Sequence, residues 1–185
     1  MRKIYKVIIA IIAVLLVVVI AAATWYFTTI NCINIEHDPD EVIIGSGQKQ
    51  ALVIYEPSKH DTTKDMTMIL AETLVDEGFT VTINFPSSKL TYSWEDYDII
   101  AFGSPVYVGE VSPVLKDYVE SNPIQGKNIL IYVTGMEPAD TKELPKMTSW
   151  VNADNSIVSI KIAKEDKEVF TSFVRESLEQ WRNNQ

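Results

Sequence analysis

Residues 97–109 read YDIIAFGSPVYVG. The first part, YDIIAF, is a short apolar run with β-branched residues, the pattern of a strand covered on both faces. The residues after it do not make the usual polar turn. Gly103, Ser104 and Pro105 lead into Val106, Tyr107, Val108 and Gly109, a loop that is partly apolar, stiffened by a proline and armed with an aromatic ring. A loop of that kind suits a flat apolar ligand with polar edges.

Outward from this stretch the chain alternates regularly. QALVIYE (50–56), FTVTINF (79–85), KNILIYVTG (127–135) and SIVSIKI (156–162) read as four further strands. Between them, residues 62–77 repeat Met66, Ile69, Leu70 and Leu74 at helical spacing and stop at Gly78. Ser112 and Pro113 start another helix as N-cap and first-turn proline, with Val114, Leu115, Tyr118 and Val119 inward. Asp140 is expected to cap a short helix running to about Trp150. Residues 164–182 form a closing helix with Val169, Phe170, Phe173, Val174, Leu178 and Trp181 inward. Strands alternating with helices imply right-handed βαβ units and a parallel sheet covered on both faces. Five strands in this sequence fit the doubly wound α/β order 2-1-3-4-5. Its ligand crevice lies at the carboxyl ends of strands one and three, where the strand order reverses. The loop after residue 103 lies beside that point.

The N-terminus is different in kind. MRKIYK carries three cations, and from Val7 to Phe27 only Thr24 is polar. As a helix, 7–27 spans about 31 Å, against a hydrocarbon core of about 30 Å. Trp25, Tyr26 and Phe27 fall where an interfacial aromatic belt lies. The uninterrupted length favours a retained anchor over a cleaved signal peptide, for which Ala21-Ala22-Ala23 would be the cleavage site. Arg2, Lys3 and Lys6 keep the short N-terminus (1–6) cytoplasmic and send the rest outside. The expected layout is a transmembrane helix at 7–27, an extracytoplasmic tether at 28–47 and a folded domain at 48–185.

Beyond Phe27 the chain holds 13 basic against 25 acidic residues, a net charge of −12. That balance argues against nucleic acid or anionic lipid as an electrostatic partner, so membrane attachment falls to the helix alone. One cysteine excludes an internal disulfide, and two histidines without ligand spacing argue against a metal site. Cys32 reads as a free thiol in the tether, since TTINC lacks the small-residue context of a lipidation site. His37 and His60 read as solvated.

Three loops carry a resemblance to the flavodoxin family, covering residues 48–185. YEPSKHDTTKDMTMILAETL (55–74) resembles the family's phosphate loop opening the first helix. YDIIAFGSPVYVGEVSPVLKDYV (97–119) resembles the GSP-Y-G segment of flavodoxin-like FMN proteins. VTGMEP (133–138) falls where the family's second flavin-contacting loop lies. The resemblance implies FMN, with Ser58, Asp61, Thr62 and Thr63 around the phosphate at a helix N-terminus. It implies Ser104, Pro105, Val106, Tyr107, Val108 and Gly109 against one side of the ring, with Tyr107 stacking, and Thr134 and Gly135 closing the other. Asp61 stands where the family usually has glycine; aspartate tolerates the left-handed conformation better than most residues, but brings a carboxylate toward the phosphate.

No nucleophile–base pair or carboxylate pair stands out, so no catalytic residue is assigned. The expected function is a membrane-anchored flavodoxin-like protein that binds FMN non-covalently and passes electrons to an unidentified redox partner protein. Two alternatives remain: an FMN-dependent quinone or protoporphyrinogen reductase at the membrane surface, and a cofactor-free interaction module.

Overall fold

The computed structural model describes residues 2–31 and 35–184, in two units that divide after Cys32. Cys32 itself lies outside the described residues. The first unit is helix α1 (Arg2–Asn31), longer at both ends than the apolar run predicts. Residues Ile4–Thr28 are apolar enough to cross a membrane, with a mean hydropathy of 3.3 in their best window. Its threonines add little polarity: the Thr24 hydroxyl donates to the Ile20 carbonyl and the Thr28 hydroxyl to that of Trp25, both within the helix.

In the second unit six strands form one sheet: β1 (Val42–Ile44), β2 (Lys49–Tyr55), β3 (Phe79–Asn84), β4 (Ile99–Pro105), β5 (Asn128–Thr134) and β6 (Ser156–Ile162). Their order is β1-β3-β2-β4-β5-β6. The five strands from β2 onward are parallel and follow the expected 2-1-3-4-5 order. The sixth corrects the strand count. β1 pairs antiparallel with β3, Val42 opposite Ile83 and Ile44 opposite Val81. Three residues are too few to show a period of two, which is why the sequence does not announce it.

Helices α2 (Thr62–Asp76) and α5 (Lys167–Asn183) cover one face; α3 (Pro113–Ser121) and α4 (Glu143–Thr148) cover the other. Each central strand feeds both layers. In β2, Ala51, Val53 and Tyr55 pack under α2, and Leu52 and Ile54 pack toward α3. That double burial is the reason the strand is apolar without alternation. Most expected inward positions are buried, but Val169 is exposed on α5. Asp140 does not cap α4, whose N-cap is Lys142; the Asp140 carboxylate pairs with the Lys142 ammonium at 2.9 Å.

The larger correction concerns the expected tether. Residues 36–44 are a strap fastened along the β3 edge and the loop after it. The Glu36 carboxylate accepts from the Ser87 hydroxyl, the Ser88 amide and the Ser88 hydroxyl at 2.7–2.8 Å, which holds it below the usual carboxylate range. Asp38 pairs with Lys89, the Asp40 amide donates to Asn84 at 2.9 Å, and the Tyr92 hydroxyl donates to Glu41 at 2.6 Å. His37 is not simply solvated: its ring lies 5.4 Å from that of Phe85, which in turn packs edge-on against Tyr55.

Candidate functional site

The stretch after β4 folds back as a hairpin. Tyr107 and Glu110 exchange backbone hydrogen bonds at 2.9 and 3.0 Å, and the two residues between them have positive φ, 54° at Val108 and 75° at Gly109. Positive φ at both central residues defines a type I′ turn. Glycine adopts it freely; valine does not, because its branched β-carbon crowds the following carbonyl. The hairpin is tied down at its base. The Val106 amide donates to the Thr134 carbonyl at 2.9 Å, and the Ser112 amide donates to the buried Ser104 hydroxyl at 2.9 Å. Ser112 also caps α3, its hydroxyl oxygen accepting from the Leu115 amide at 3.1 Å, with Pro113 in the first turn.

Opposite stands the β2–α2 loop. Asp61 takes the left-handed conformation (φ 56°) expected where the family has glycine, and its side chain makes no cap bond. Ser58 supplies that bond instead, its hydroxyl oxygen accepting from the Thr63 amide at 3.0 Å. Buried Thr63 reaches Thr134 hydroxyl to hydroxyl at 2.7 Å, and the Lys59 amide donates to the Tyr107 hydroxyl at 2.7 Å. These contacts join all three loops at the carboxyl ends of β2, β4 and β5. Ser58, Asp61, Thr63, Thr134 and the hairpin therefore lie together at that end of the sheet. Besides the Thr63–Thr134 and Val106–Thr134 bonds, polar groups of further assigned residues are committed within the fold: the Ser104 hydroxyl donates to the Pro105 carbonyl at 3.0 Å, and the Gly135 amide donates to the Ile162 carbonyl at 3.0 Å.

Two buried groups escape the sequence reading. Lys161 and Glu143 form an ion pair at 2.9 Å with side chains 4% and 6% exposed, and the Lys161 ammonium also donates to the Asp140 carbonyl at 2.5 Å. This pair fastens the loop after β5 from beneath Gly135, whose absent side chain leaves room for the lysine stem. The second is Glu56, at the end of β2 and 0% exposed. Its Oε2 accepts from the Ser112 hydroxyl at 3.1 Å, whereas Oε1 has no hydrogen-bond partner among the described residues. His37 Nε2 faces Oε1 at 3.4 Å without hydrogen-bond geometry. Burial pushes this carboxyl up to about 8, and the Ser112 bond offsets only part of that. Nothing in the pattern of QALVIYE distinguishes a buried final glutamate from a solvated one.

Residues 52–177 match the family described as "Flavodoxin domain", and the chain belongs to the flavodoxin family. No curated protein matches it. Among solved structures, oxidised flavodoxin 2 from Bacillus cereus aligns at 16% identity and TM-score 0.58, covering 71% of this chain and 99% of that one. The flavodoxin of Streptococcus pneumoniae TIGR4 aligns at 17% and 0.51, over 71% and 99%. The rubredoxin oxygen:oxidoreductase of Desulfovibrio gigas aligns at 21% and 0.51, covering 70% of this chain and 35% of that longer one. Family and flavoprotein neighbours point to FMN as the cofactor.

The residues present fit that group. The first turn of α2 supplies amides with positive dipole potential for a phosphate, flanked by hydroxyls from Ser58 and Thr62. The hairpin and the loop after β5 bring aromatic, apolar and main-chain surface to a planar ring. Asp61 and the first-turn Asp65 bring contrary charge to that helix end, Asp65 lying 3.9 Å from the Lys164 ammonium. Among the described residues no cluster of three or more His, Cys, Asp or Glu side chains is placed to hold a metal ion.

Proposed function

We propose that the chain is a membrane-anchored electron carrier that binds FMN non-covalently, with its N-terminus cytoplasmic and its folded domain outside. The observation that carries this reading is the convergence of the three loops, through the Thr63–Thr134 and Lys59–Tyr107 bonds, at the reversal point of the strand order. Bound FMN supplies the one- and two-electron chemistry. The protein's part is to hold and surround it. Ser58, Thr62 and Thr63 would hold the phosphate at the N-terminus of α2; Ser104 to Gly109 would line one side of the ring, with Tyr107 available to stack; Thr134 and Gly135 would close the other side.

The α1 helix supports attachment by its length and hydropathy, and Arg2, Lys3 and Lys6 support the orientation. The test is an absorbance spectrum of the full-length chain in detergent, with and without added FMN. Flavin bands that remain with the protein after gel filtration support the carrier; a colourless protein that takes up no FMN sinks it. A membrane-impermeant maleimide tests the orientation, since Cys32 is then labelled on intact cells after wall removal. Labelling seen only after lysis reverses it.

A further inference from the structure

Glu56 stands apart from every other acid in the domain. It directly follows strand β2, and its amide donates to the Gly103 carbonyl of β4 at 2.9 Å, between the two strands where the order reverses. Its side chain is fully buried with one oxygen unsatisfied, an arrangement that costs stability unless something recovers it. The group that faces this oxygen is His37, whose side chain is 36% exposed. The imidazole therefore connects a buried carboxyl to water. It does not arrive there by accident of a loose tether, because the strap holds it on both sides through Glu36 and Asp38 and sets its ring, tilted by 50°, against Phe85.

We propose that Glu56 is a redox-linked proton site: when the cofactor in the adjoining crevice gains an electron from a reduced partner protein, one proton passes from water through His37 to the Glu56 carboxylate. The electron stays on the cofactor and the proton on Oε1, so the buried charge of the pair is conserved and no bond to the cofactor forms. This inference rests on the FMN reading above. Its physical basis is the low dielectric of the site. At an effective dielectric of about 20, a new unit charge roughly 10 Å away changes a proton affinity more than tenfold. Imidazole is the side chain suited to pass protons near neutral pH. Among the described residues, the side chain that hydrogen-bonds Glu56 is the uncharged Ser112, the N-cap of α3, whose own amide is held by the Ser104 hydroxyl of β4. Lys59, His60 and Asp61 on the following loop are exposed, Tyr55 turns to the opposite layer, and Glu36 and Asp38 are engaged by Ser87, Ser88 and Lys89. With its carboxyl raised to about 8, Glu56 is ionised, and so able to take up the proton, at and above that pH.

A carboxyl raised on folding stabilises the fold fully below its ordinary range and loses that contribution as pH rises through about 8. In the full-length apoprotein, the folded-to-unfolded ratio of the wild type relative to Glu56→Gln falls by up to about tenfold per pH unit between roughly pH 5 and 8. With FMN bound, the midpoint potential of the wild type varies with pH around 8 more steeply than that of Glu56→Gln. His37→Ala keeps the equilibrium curve but slows proton uptake after rapid reduction by dithionite. Flavin bound to both proteins with superimposable potential–pH curves overturns the proton site alone. Absence of bound flavin from both removes the FMN reading and the inference with it. Should Glu56→Gln not fold, the wild type still decides: reduction at about pH 9, where the carboxyl starts ionised, must produce a protonated-carboxyl band in its infrared difference spectrum, and absence of the band overturns the proposal.

Discussion

The two walls of the crevice each hold a non-glycine residue at positive φ, and reach that shape by different routes. The hairpin wall, Pro105 to Ser112, is shaped by residue types that dictate local geometry: a proline, a glycine at positive φ and a serine cap. The opposite wall, Glu56 to Thr63, has no glycine. Its left-handed residue is Asp61, and its shape comes from contacts made across the molecule, among them Thr63 with Thr134, Lys59 with Tyr107 and Glu56 with Ser112. One wall carries its conformation with it. The other receives it from its neighbours, and tolerates charged residues that the local rule would not choose.

The most severe break is expected beneath the hairpin, at Gly103. A β-carbon there would lie 2.2 Å from Cζ of Tyr132, a buried ring held by a 2.5 Å hydroxyl bond to Thr67. Gly103→Ala should cost about 3 kcal/mol, in the upper range for overpacking. Denaturant midpoints at unchanged m-value would measure it. A loss below about 0.5 kcal/mol would mean that β4 and β5 shift freely, and that the hairpin wall is less self-determined than its sequence implies.

Tyr107 joins the walls and should show the next largest effect, this time on the ligand. Tyr107→Ala removes both the ring proposed to stack and the acceptor of the Lys59 amide. FMN binding should weaken by about 1–3 kcal/mol, the scale of base–aromatic stacking. Titration of the apoprotein with FMN measures this. Unchanged affinity with a lowered melting temperature would make Tyr107 a structural clasp only.

The same contrast explains what can be read from the sequence. YDIIAFGSPVYVG announces a buried strand and a stiffened aromatic loop, and Ser112-Pro113 beyond it a capped helix, because each of those depends on neighbours in the chain. The five parallel strands and their order follow from the same kind of signal. Glu56, Lys161 and His37 are invisible because their roles depend on burial partners 18 to 56 residues away. The strap is missed for a related reason: the acidic segment IEHDPDEV looks solvated until Ser87, Ser88, Lys89 and Tyr92 are brought beside it.

Asp61 sharpens the comparison on the receiving wall. A carboxylate roughly 6 Å from a doubly charged phosphate costs about 1.4 kcal/mol in a water-like dielectric, close to tenfold in affinity. The native domain should then prefer FMN to riboflavin only modestly. Asp61→Gly should tighten FMN at low salt by about that amount, leave riboflavin nearly unchanged, and lose the gain as salt rises. Weaker FMN binding in the variant would place the aspartate's value in the shape of the loop and the phosphate elsewhere.

Val108 tests the hairpin wall's own inconsistency, and the effect expected is the smallest. A β-branched residue in the left-handed region costs about 1–2 kcal/mol relative to a relaxed backbone. At 56% exposed, Val108 recovers little of that through packing. Glycine removes the strain but gives the unfolded chain more freedom, a counter-effect of about 0.4–1 kcal/mol. The net gain from Val108→Gly should therefore be about 0.5–1 kcal/mol, read as a higher denaturant midpoint with the same m-value. The matching change on the other wall, Asp61→Gly, should leave stability within a few tenths of a kcal/mol, because aspartate already accommodates positive φ. If Val108→Gly is neutral or destabilising in the apoprotein, the valine must contribute contacts beyond those its exposure suggests, and the turn is not strained. If it stabilises the apoprotein yet weakens FMN, the strain at Val108 belongs to the ligand-ready form of the loop. The two walls would then differ in purpose as well as in construction.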